Sequence, residues 1–344
     1  MNKEQLHNTA KAMVQKGKGI LAADESTPTC SKRFENIGVD PTENNRNIYR
    51  DLLFTTHGME EFISGVILFD ETLKQSTISG GTPFPEYLRG KGVIPGIKVD
   101  KGAKELACHS NEKVTEGLDG LRDRLIEYYR LGARFAKWRA VITIGEGIPT
   151  DVCIHVNAHA LARYAALCQE SDIVPIVEPE VLMDGIHSID ICHDVSEKTF
   201  STVFEELEKQ RVYLEGIVLK PNMIVSGIGC SEQADIEEVA DRTVACLKTT
   251  VPADVPGCAF LSGGQSNENA TAHLNKMNAK HGDSLPWNLT FSYGRALQAS
   301  ALQVWSGKNE NIQSAQEAFF QRAKFNGMAT SGSFSKEMES VTSE

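Results

Sequence analysis

The sequence predicts a single α/β domain folded as a closed (β/α)₈ barrel. Eight short apolar runs bounded by turn residues occur along the chain, and segments with apolar residues at helical spacing lie between most of them. No low-complexity linker divides the 344 residues. Strands that alternate with helices in one unit indicate a parallel sheet with helices around it. An open doubly wound sheet is the alternative, but the first strand is not followed by the glycine-rich dinucleotide loop typical of that fold.

The eight predicted strands are runs of apolar and β-branched residues, as expected of strands buried on both faces of a parallel sheet. They cover residues 19–24, 64–70, 94–100, 135–141, 174–180, 216–222, 258–264 and 289–295. The sixth run contains Lys220, which follows four residues of low polarity and precedes Pro221. A helix could not pass through that proline undisturbed, so a strand that ends near Lys220 is expected.

The predicted helices have apolar residues at i, i+3, i+4 and i+7. They cover residues 43–56, 118–132, 151–171, 196–210, 236–250, 294–307 and 311–325. Residues 1–17 are expected to form a helical extension before the barrel, and residues 328–344 a mobile tail. The charged segments 111–117 and 194–200 are expected to be turns on the solvated surface.

Composition excludes several classes of protein. The chain is 41% hydrophobic and 24% charged, as an ordinary globular enzyme is. Its formal net charge of -11, without a basic run interleaved with aromatics, argues against a nucleic-acid or anionic-membrane partner. The chain has no apolar stretch of about 18 residues that would predict a transmembrane helix. Its polar start lacks the apolar core of a signal peptide, so we expect a cytoplasmic protein. The eight cysteines include no CxxC pair, which makes a disulfide framework improbable.

Charged or hydroxyl residues cluster at the C-terminal ends of the predicted strands. They are Asp24, Asp70, Lys98, Lys137, Arg139, Glu178, Glu180, Lys220, Ser262, Ser292 and Arg295. In a (β/α)₈ or TIM barrel these ends form the mouth, where active sites lie. Two pairs, Lys137 with Arg139 and Glu178 with Glu180, are spaced i, i+2, so both members of each pair should point to the same side of their strand. A single such residue is more often a solvated strand end, but eight strands together indicate a site.

Two of these strand ends suggest a phosphate site. Gly263 and Gly264 end the seventh run, where backbone N–H groups can approach an oxyanion, and Gly294 with Arg295 follows the eighth. Barrels commonly hold phosphate at the loops after these two strands.

Lys220 is the candidate nucleophile. Lysine is seldom fully buried, so its ammonium group either reaches solvent or belongs to a site. At a barrel mouth, nearby cations such as Lys137 and removal from water would favour a neutral amine that can attack a carbonyl. The resulting Schiff base, once protonated, accepts electrons from a neighbouring carbon–carbon bond, which then breaks. This chemistry needs neither a metal nor a cofactor.

Two alternatives remain open at this point. His155 and His159 have the i, i+4 spacing of a zinc pair, which would suit a metal-dependent aldolase or isomerase, although the HExxH glutamate is missing and their helix should lie outside the barrel. The other alternative is a catalytically idle barrel used as a binding or scaffold protein.

The chain resembles the class I fructose-1,6-bisphosphate aldolases from about residue 18 to about residue 325. The motifs that carry the resemblance are "KGILAADEST", "GVILFDETL", "GIKVDKG", "LDGLRDRLIEY", "FAKWRAV", "VPIVEPEVL", "YLEGIVLKPNMI", "FLSGGQS" and "TFSYGRALQASAL". The resemblance implies metal-free, reversible cleavage of fructose 1,6-bisphosphate into dihydroxyacetone phosphate and glyceraldehyde 3-phosphate, in glycolysis and gluconeogenesis. It also implies a homotetramer.

The same resemblance implies a role for each matched residue. Lys220 would form the Schiff base, Glu178 would act as general acid and base with Glu180 beside it, Asp24 would remove the C4 hydroxyl proton, and Lys137 would stabilise charge. The substrate-binding residues implied are Ser262, Gly263, Gly264, Ser292 and Arg295 for the phosphate next to the keto group, Ser26, Arg33 and Lys98 for the far phosphate, and Arg139 beside Lys137.

The sequence departs from the family pattern in two places. After "ADEST" the family often continues Gly-Ser, whereas this chain has Pro28 and Thr29, and a fixed proline φ is expected to reshape the loop at the far phosphate. Vertebrate members end in a tyrosine that influences proton exchange, whereas this chain ends "SVTSE" and its last tyrosine is Tyr293.

Overall fold

The computed structural model describes residues 1–340 and confirms the closed parallel barrel. The strands are β1 (Gly19–Ala23), β2 (Ile63–Leu68), β3 (Ile94–Lys98), β4 (Ala103–Glu105), β5 (Lys113–Thr115), β6 (Phe135–Ile142), β7 (Val174–Val181), β8 (Val218–Leu219), β9 (Gly257–Phe260) and β10 (Asn288–Tyr293). The barrel order is β1-β10-β9-β8-β7-β6-β3-β2, and β4 and β5 form a separate antiparallel ribbon. The predicted eight runs are therefore the eight barrel strands.

Helices surround the barrel and close one end of it. They are α1 (Lys3–Met13), α2 (Thr27–Glu35), α3 (Glu43–Phe54), α4 (Asp70–Leu73), α5 (Phe84–Gly90), α6 (Leu121–Arg130), α7 (Asp151–Glu170), α8 (Ile189–Lys209), α9 (Ile236–Thr250), α10 (Asn267–His281), α11 (Arg295–Trp305), α12 (Ile312–Ala329) and α13 (Glu337–Ser340). Among residues 1–340, no helix is long and apolar enough to cross a membrane.

Strand β8 is much shorter than the predicted run 216–222. Its hydrogen-bonded part is limited to Val218–Leu219, and a 3₁₀ turn at Leu214–Gly216 precedes it. Lys220 directly follows the strand, and its backbone N–H donates to the carbonyl of Val177 at 2.8 Å. Because Pro221 has no N–H to donate, the ladder stops there. The lysine is thus held in register with β7 although it lies outside the strand.

Two charged segments expected as solvated turns have regular structure instead. Residues 194–200 belong to α8, which begins after the N-cap Ser188 and buries Ser196 and Phe200 on its inner face. Residues 111–117 include β5, which pairs with β4 and buries Thr115. For residues 194–200, the helical pattern predicted over 196–210 gives the correct structure, and for residues 111–117 the pairing with β4 decides it.

The lower interior of the barrel is filled by apolar side chains and closed by α1. This helix occupies most of the predicted extension 1–17 and buries Leu6, Ala10 and Met13. Their core cluster includes residues of six barrel strands, namely Ile20, Ile67, Phe135, Val174, Ile176, Val218 and Ala259. Phe135 fills the space so tightly that a Cβ added at Gly96 would lie 2.2 Å from its ring. The barrel is therefore open only at its mouth.

The predicted tail 328–344 begins within a helix, since α12 extends to Ala329. Beyond it, the buried Phe334 packs against Phe325 with ring centroids 5.6 Å apart, and Arg322 pairs with Glu339 at 2.7 Å. Residues 341–344 lie outside the described residues. The mobility of the tail stays a prediction.

Candidate active site

Lys220 lies at the barrel mouth with a carboxylate beside it. Its side chain is only 5% exposed, and its Nζ atom lies 3.0 Å from Oε1 of Glu178. Glu178 comes from β7, the strand next to β8, so neighbouring strands bring the two groups together. At this distance a proton can pass directly between amine and carboxylate.

Lys137 extends this pair into a cluster of four side chains. Its Nζ atom lies 2.7 Å from Oδ2 of Asp24 and 3.4 Å from Oε2 of Glu178. All four groups are buried, so each has protein partners in place of bulk water. Lys137 comes from β6, whereas Asp24 follows β1, three strands away around the barrel. The cluster therefore spans the barrel mouth, and two amines are matched by two carboxyl groups.

Opposite charges set the ionisation of Asp24 and Lys137. Burial alone would raise the pKa of Asp24, but the nearby Lys137 and Lys220 lower it to about 2. Burial alone would likewise lower the pKa of Lys137, but the carboxylates of Asp24 and Glu178 raise it above its usual value. At neutral pH these two side chains are consequently an ion pair.

Arg139 and Glu180 form a second pair toward the rim. The guanidinium Nε of Arg139 on β6 donates to Oε2 of Glu180 on β7. Lys137 is buried, whereas the side chain of Arg139 is 43% exposed, so the same strand supplies one interior cation and one rim cation.

Lys98 is held by Asp100, a residue that sequence reasoning did not assign to the site. Its Nζ atom donates to Oδ1 of Asp100 at 2.6 Å and to the backbone carbonyl of Asp100 at 3.0 Å. Asp100 also accepts from the backbone N–H groups of Gly102 and Arg139. Asp100 ends the third predicted run, two residues after Lys98, and this position could have identified it as a site residue from the sequence.

Glu25 is a second residue that sequence reasoning missed. Its buried carboxylate accepts from Arg33 of α2, from Arg50 of α3 at 2.6 Å, and from the side-chain amide of Gln298 of α11 at 2.9 Å. Burial alone would raise the pKa of Glu25, but Arg50 and Arg33 lower it. Gln298 also donates to the carbonyl of Ala22 at 2.7 Å. The feature that could have indicated this network from the sequence is Arg50, an arginine on the buried face of α3.

Ser26 and the Pro28–Thr29 departure lie at the start of α2. Ser26 is the N-cap residue, and its hydroxyl lies 3.1 Å from that of Thr29. Pro28 occupies the first turn, where a helix makes no use of the missing N–H. The proline is therefore accommodated as a helix start.

The predicted phosphate residues come together around β9 and β10. Ser262 and Ser292 are buried, and Oγ of Ser292 has no hydrogen-bond partner among residues 1–340. Gly263 has φ +57°, a left-handed conformation that favours glycine, and Gly264 follows it at the surface. Arg295 donates to the carbonyl of Gly263 at 3.4 Å and to that of Gln265. A serine hydroxyl, a glycine turn and a guanidinium thus converge at neighbouring strand ends.

Asp70, one of the polar strand ends, does not join the lysine cluster. It begins α4, accepts from the hydroxyl of Tyr128 at 2.9 Å, and pairs with Lys74 at 3.1 Å.

The two histidines of the zinc alternative lie on α7 beside a single carboxylate. Nδ1 of His159 is 3.0 Å from Oε2 of Glu206, and Nδ1 of His155 is 3.9 Å from Oε1. In the described part of the chain, no group of three or more His, Cys, Asp or Glu side chains has a geometry that could hold a metal ion.

Comparisons with known proteins agree on one family. A family model described as fructose-bisphosphate aldolase class-I matches residues 5–344. A relative from Xanthomonas campestris pv. campestris, named probable fructose-bisphosphate aldolase class 1, is 59% identical over 333 residues, which cover 96% of this chain and 99% of that one. Fructose-bisphosphate aldolase of Plasmodium falciparum is 53% identical over 333 residues, with 96% and 89% of the two chains covered.

A solved structure is also similar over nearly the whole chain. It is fructose-bisphosphate aldolase from Plasmodium falciparum in complex with TRAP and a small molecule inhibitor, with a TM-score of 0.94 and 52% sequence identity. The match covers 97% of this chain and 96% of that chain.

Proposed function

The chain belongs to the class I fructose-bisphosphate aldolases, metal-independent lyases, and on that premise we propose that it cleaves D-fructose 1,6-bisphosphate through a Schiff base on Lys220. The products are dihydroxyacetone phosphate and D-glyceraldehyde 3-phosphate, and the reaction is reversible. The observation that best supports the proposal is the buried amine of Lys220 at the barrel mouth, 3.0 Å from the carboxylate of Glu178.

Schiff-base formation moves two protons to the keto oxygen through Glu178. Glu178 first takes a proton from the ammonium of Lys220, the neutral amine attacks the keto carbon of the open-chain sugar, and Glu178 gives that proton to the oxygen, which becomes the carbinolamine hydroxyl. Glu178 then takes a second proton from the nitrogen and returns it to the hydroxyl, which leaves as water and yields the protonated imine. Lys137, on the other oxygen of Glu178, stabilises its carboxylate form in these steps. Glu180, held by Arg139, lies two residues further along the same strand.

Carbon–carbon cleavage follows from proton removal at the C4 hydroxyl. Asp24 takes this proton, the electron pair of the C3–C4 bond moves into the imine to form an enamine, and glyceraldehyde 3-phosphate leaves. Because the pKa of Asp24 is about 2, its carboxylate is present at neutral pH. The enamine is then protonated at C3, and water hydrolyses the imine to release dihydroxyacetone phosphate and free Lys220.

Tyr293 does not replace the family's C-terminal tyrosine in that protonation. It is buried in β10, and its hydroxyl donates to the carbonyl of Ala270 at 2.9 Å.

The two phosphates are bound at opposite sides of the mouth. Ser262, Gly263, Gly264, Ser292 and Arg295 take the phosphate next to the keto group. The free hydroxyl of Ser292 supports this assignment, because a buried donor without a partner suits an oxyanion. Ser26, Arg33, Lys98 and Arg139 take the far phosphate and the sugar hydroxyls.

The enzyme acts in the cytoplasm as a homotetramer. The exposed apolar side chains of Ile126, Val152 and Ile191 on the three consecutive helices α6, α7 and α8 suit a subunit interface. Light scattering tests the assembly, since a mass near that of one 37.7 kDa chain would contradict it.

Borohydride trapping tests the mechanism and the residue together. With fructose 1,6-bisphosphate present, reduction should add the mass of the triose phosphate to the peptide that holds Lys220 and stop turnover. The Lys220→Ala variant should give no adduct, and EDTA should leave wild-type cleavage unchanged. Active enzyme without an adduct would refute the Schiff base, and wild-type turnover no faster than that of Lys220→Ala would instead favour an idle barrel.

A further inference from the structure

A cavity of about 830 Å³ lies outside the barrel mouth, between the N-terminal ends of α9 and α10. Its volume is in the range of pockets that bind small molecules. Below it the two helices are joined by ion pairs, with Nζ of Lys276 3.1 Å from Oε2 of Glu237 and Nζ of Lys280 2.7 Å from Oε1. These ion pairs thus hold α9 and α10 together beside the cavity, and the N-terminal ends of the two helices leave a cleft between them.

The cavity is lined in part by apolar side chains, which water solvates poorly. Val225 and Val239 are buried in its wall, Met183 is half-buried, and Ile228 and Ile236 are 65% and 42% exposed. Exposed branched side chains that face one cleft indicate a surface for an apolar ligand. Lys276 and Glu237, which also line the cavity, pair with each other, and Asp235 caps α9 by accepting from the backbone N–H of Glu238 at 2.8 Å. No cation among the described lining residues is left for an anionic ligand, so an uncharged ligand is favoured.

His273 supplies a hydrogen-bond acceptor in this wall. Its side chain lines the cavity and is 94% buried, and its Nδ1 atom lies 2.6 Å from Oε1 of Gln265. The amide nitrogen of Gln265 donates to the sulfur of Met223 at 3.5 Å, so its oxygen can only accept. Nδ1 therefore carries the ring proton, and Nε2 is an acceptor without a partner among residues 1–340. Burial lowers the pKa of His273 to about 4, which keeps the ring neutral at pH 7.

We propose that this cavity binds an uncharged planar ring compound that donates one N–H or O–H hydrogen bond to Nε2 of His273 and lies against Ile228 and Ile236. An apolar wall with one convergent polar atom is the usual composition of a small-molecule site. A ring that lacks the donor would leave Nε2 desolvated and unpaired, so the site selects for the donor as well as for the ring.

The cavity shares Gly264 with the proposed phosphate loop, whereas His273, Ile228 and Ile236 lie outside that loop. Gln265, which holds His273 through its side chain, accepts from Arg295 through its backbone carbonyl. The binding of the ring does not require turnover, so it can be tested whether or not the Schiff-base mechanism holds.

Indole and 1-methylindole are the matched probes, because they share the ring and differ in the N–H donor. Ligand-observed NMR titration of the full-length protein should show indole binding roughly 3- to 10-fold more tightly than 1-methylindole, as expected for one hydrogen bond. His273→Leu should remove this difference, provided that circular dichroism and cleavage activity match those of the wild type. Ile228→Ser and Ile236→Ser should weaken both probes.

Ile78→Ser is the control at an exposed isoleucine elsewhere, and it should leave both affinities unchanged. In Lys220→Ala, saturating fructose 1,6-bisphosphate should not abolish indole binding. No binding of indole, equal affinity for the two probes, unchanged affinity in the Ile228→Ser and Ile236→Ser variants, or abolition by the sugar bisphosphate would each overturn the proposal.

Discussion

Glu178 places one carboxylate oxygen beside each of two lysines: Oε1 lies 3.0 Å from Nζ of Lys220, and Oε2 lies 3.4 Å from Nζ of Lys137. Three consecutive barrel strands, β6, β7 and β8, supply the three side chains. A carboxylate between two amines offsets their mutual repulsion and can exchange a proton with either. The two lysines and the carboxylate between them are thus positioned by neighbouring strands.

Replacing Glu178 by glutamine keeps the side-chain shape and removes the base. We expect kcat for fructose 1,6-bisphosphate cleavage to fall by roughly 10²- to 10⁴-fold, the usual contribution of a general acid–base group. The rate of borohydride trapping on Lys220 should fall with it. Glu206→Gln, at a buried glutamate outside the site, is the control and should change neither rate by more than about twofold. An unchanged trapping rate in Glu178→Gln would contradict the assigned role.

Asp24 should make stability depend on pH in acid. Its folded-state pKa of about 2 lies below the ordinary 3.8, so its ionised form stabilises the fold above pH 4. That contribution, about 2 kcal/mol, is lost as the pH falls from about 4 toward 2. Urea unfolding at several pH values should therefore show a steeper loss for the wild type than for Asp24→Asn. Parallel curves for the two proteins would count against the low pKa.

Arg50 should be needed for stability more than Arg33, although both bind Glu25. Arg50 is 3% exposed and Arg33 is 27% exposed, so only the loss of Arg50 removes a buried charge partner. We expect Arg50→Met to lower the free energy of unfolding by roughly 3–5 kcal/mol and Arg33→Met by much less. The double variant Glu25→Gln with Arg50→Met should recover part of the loss in urea unfolding. Equal losses for the two single variants would be inconsistent with the network.

Arg33 and Arg295 should separate the two phosphates in kinetics. Arg33→Met should lower kcat/KM for fructose 1,6-bisphosphate by roughly 10- to 100-fold, the value of a charge-assisted hydrogen bond. It should leave kcat/KM for fructose 1-phosphate nearly unchanged, because that substrate has no far phosphate. Arg295→Met is the matched comparison and should impair both substrates. Steady-state assays with the two sugars measure these effects. An equal loss of kcat/KM for both sugars in Arg33→Met would contradict the assignment of Arg33 to the far phosphate.

Gly96 should tolerate no side chain. Alanine there would put a methyl group 2.2 Å from the ring of Phe135, inside a packed barrel. We expect Gly96→Ala to lower the free energy of unfolding by roughly 1–3 kcal/mol or to prevent folding. Gly90→Ala is the control, since nothing lies within 4 Å of the added methyl group and no positive φ is required. Thermal melting of both variants gives the comparison.

The barrel and the convergence at its mouth were predictable because parallel strands bring their C-terminal ends together. Once eight runs were recognised, Asp24, Lys137, Glu178 and Lys220 had to lie at one end. Lys137 reaches Glu178 because β6 and β7 are neighbours, whereas it reaches Asp24 across the mouth, three strands away around the ring. The chemistry assigned to each residue stays a prediction, since geometry alone does not test it.

Contacts between helices were not predictable in the same way. Glu25, Arg50 and Gln298 are far apart in sequence, and only the docking of α3 and α11 brings them together. Helix α10 was missed because its segment is rich in asparagine and its inner face, with Leu274 and Met277, is short. The length of β8 was overestimated because Gly216 belongs to a 3₁₀ turn and Pro221 has no N–H to continue the ladder.

Helix α1 closes the barrel from below, and this has a consequence for synthesis. Leu6, Ala10 and Met13 are synthesised before the barrel strands, yet the core cluster that receives them includes residues as late as Ala259. At ordinary rates of translation, the helix waits on the order of tens of seconds for its binding surface. Its apolar face is exposed during that time, so α1 should dock only after the strands up to β9 have been synthesised.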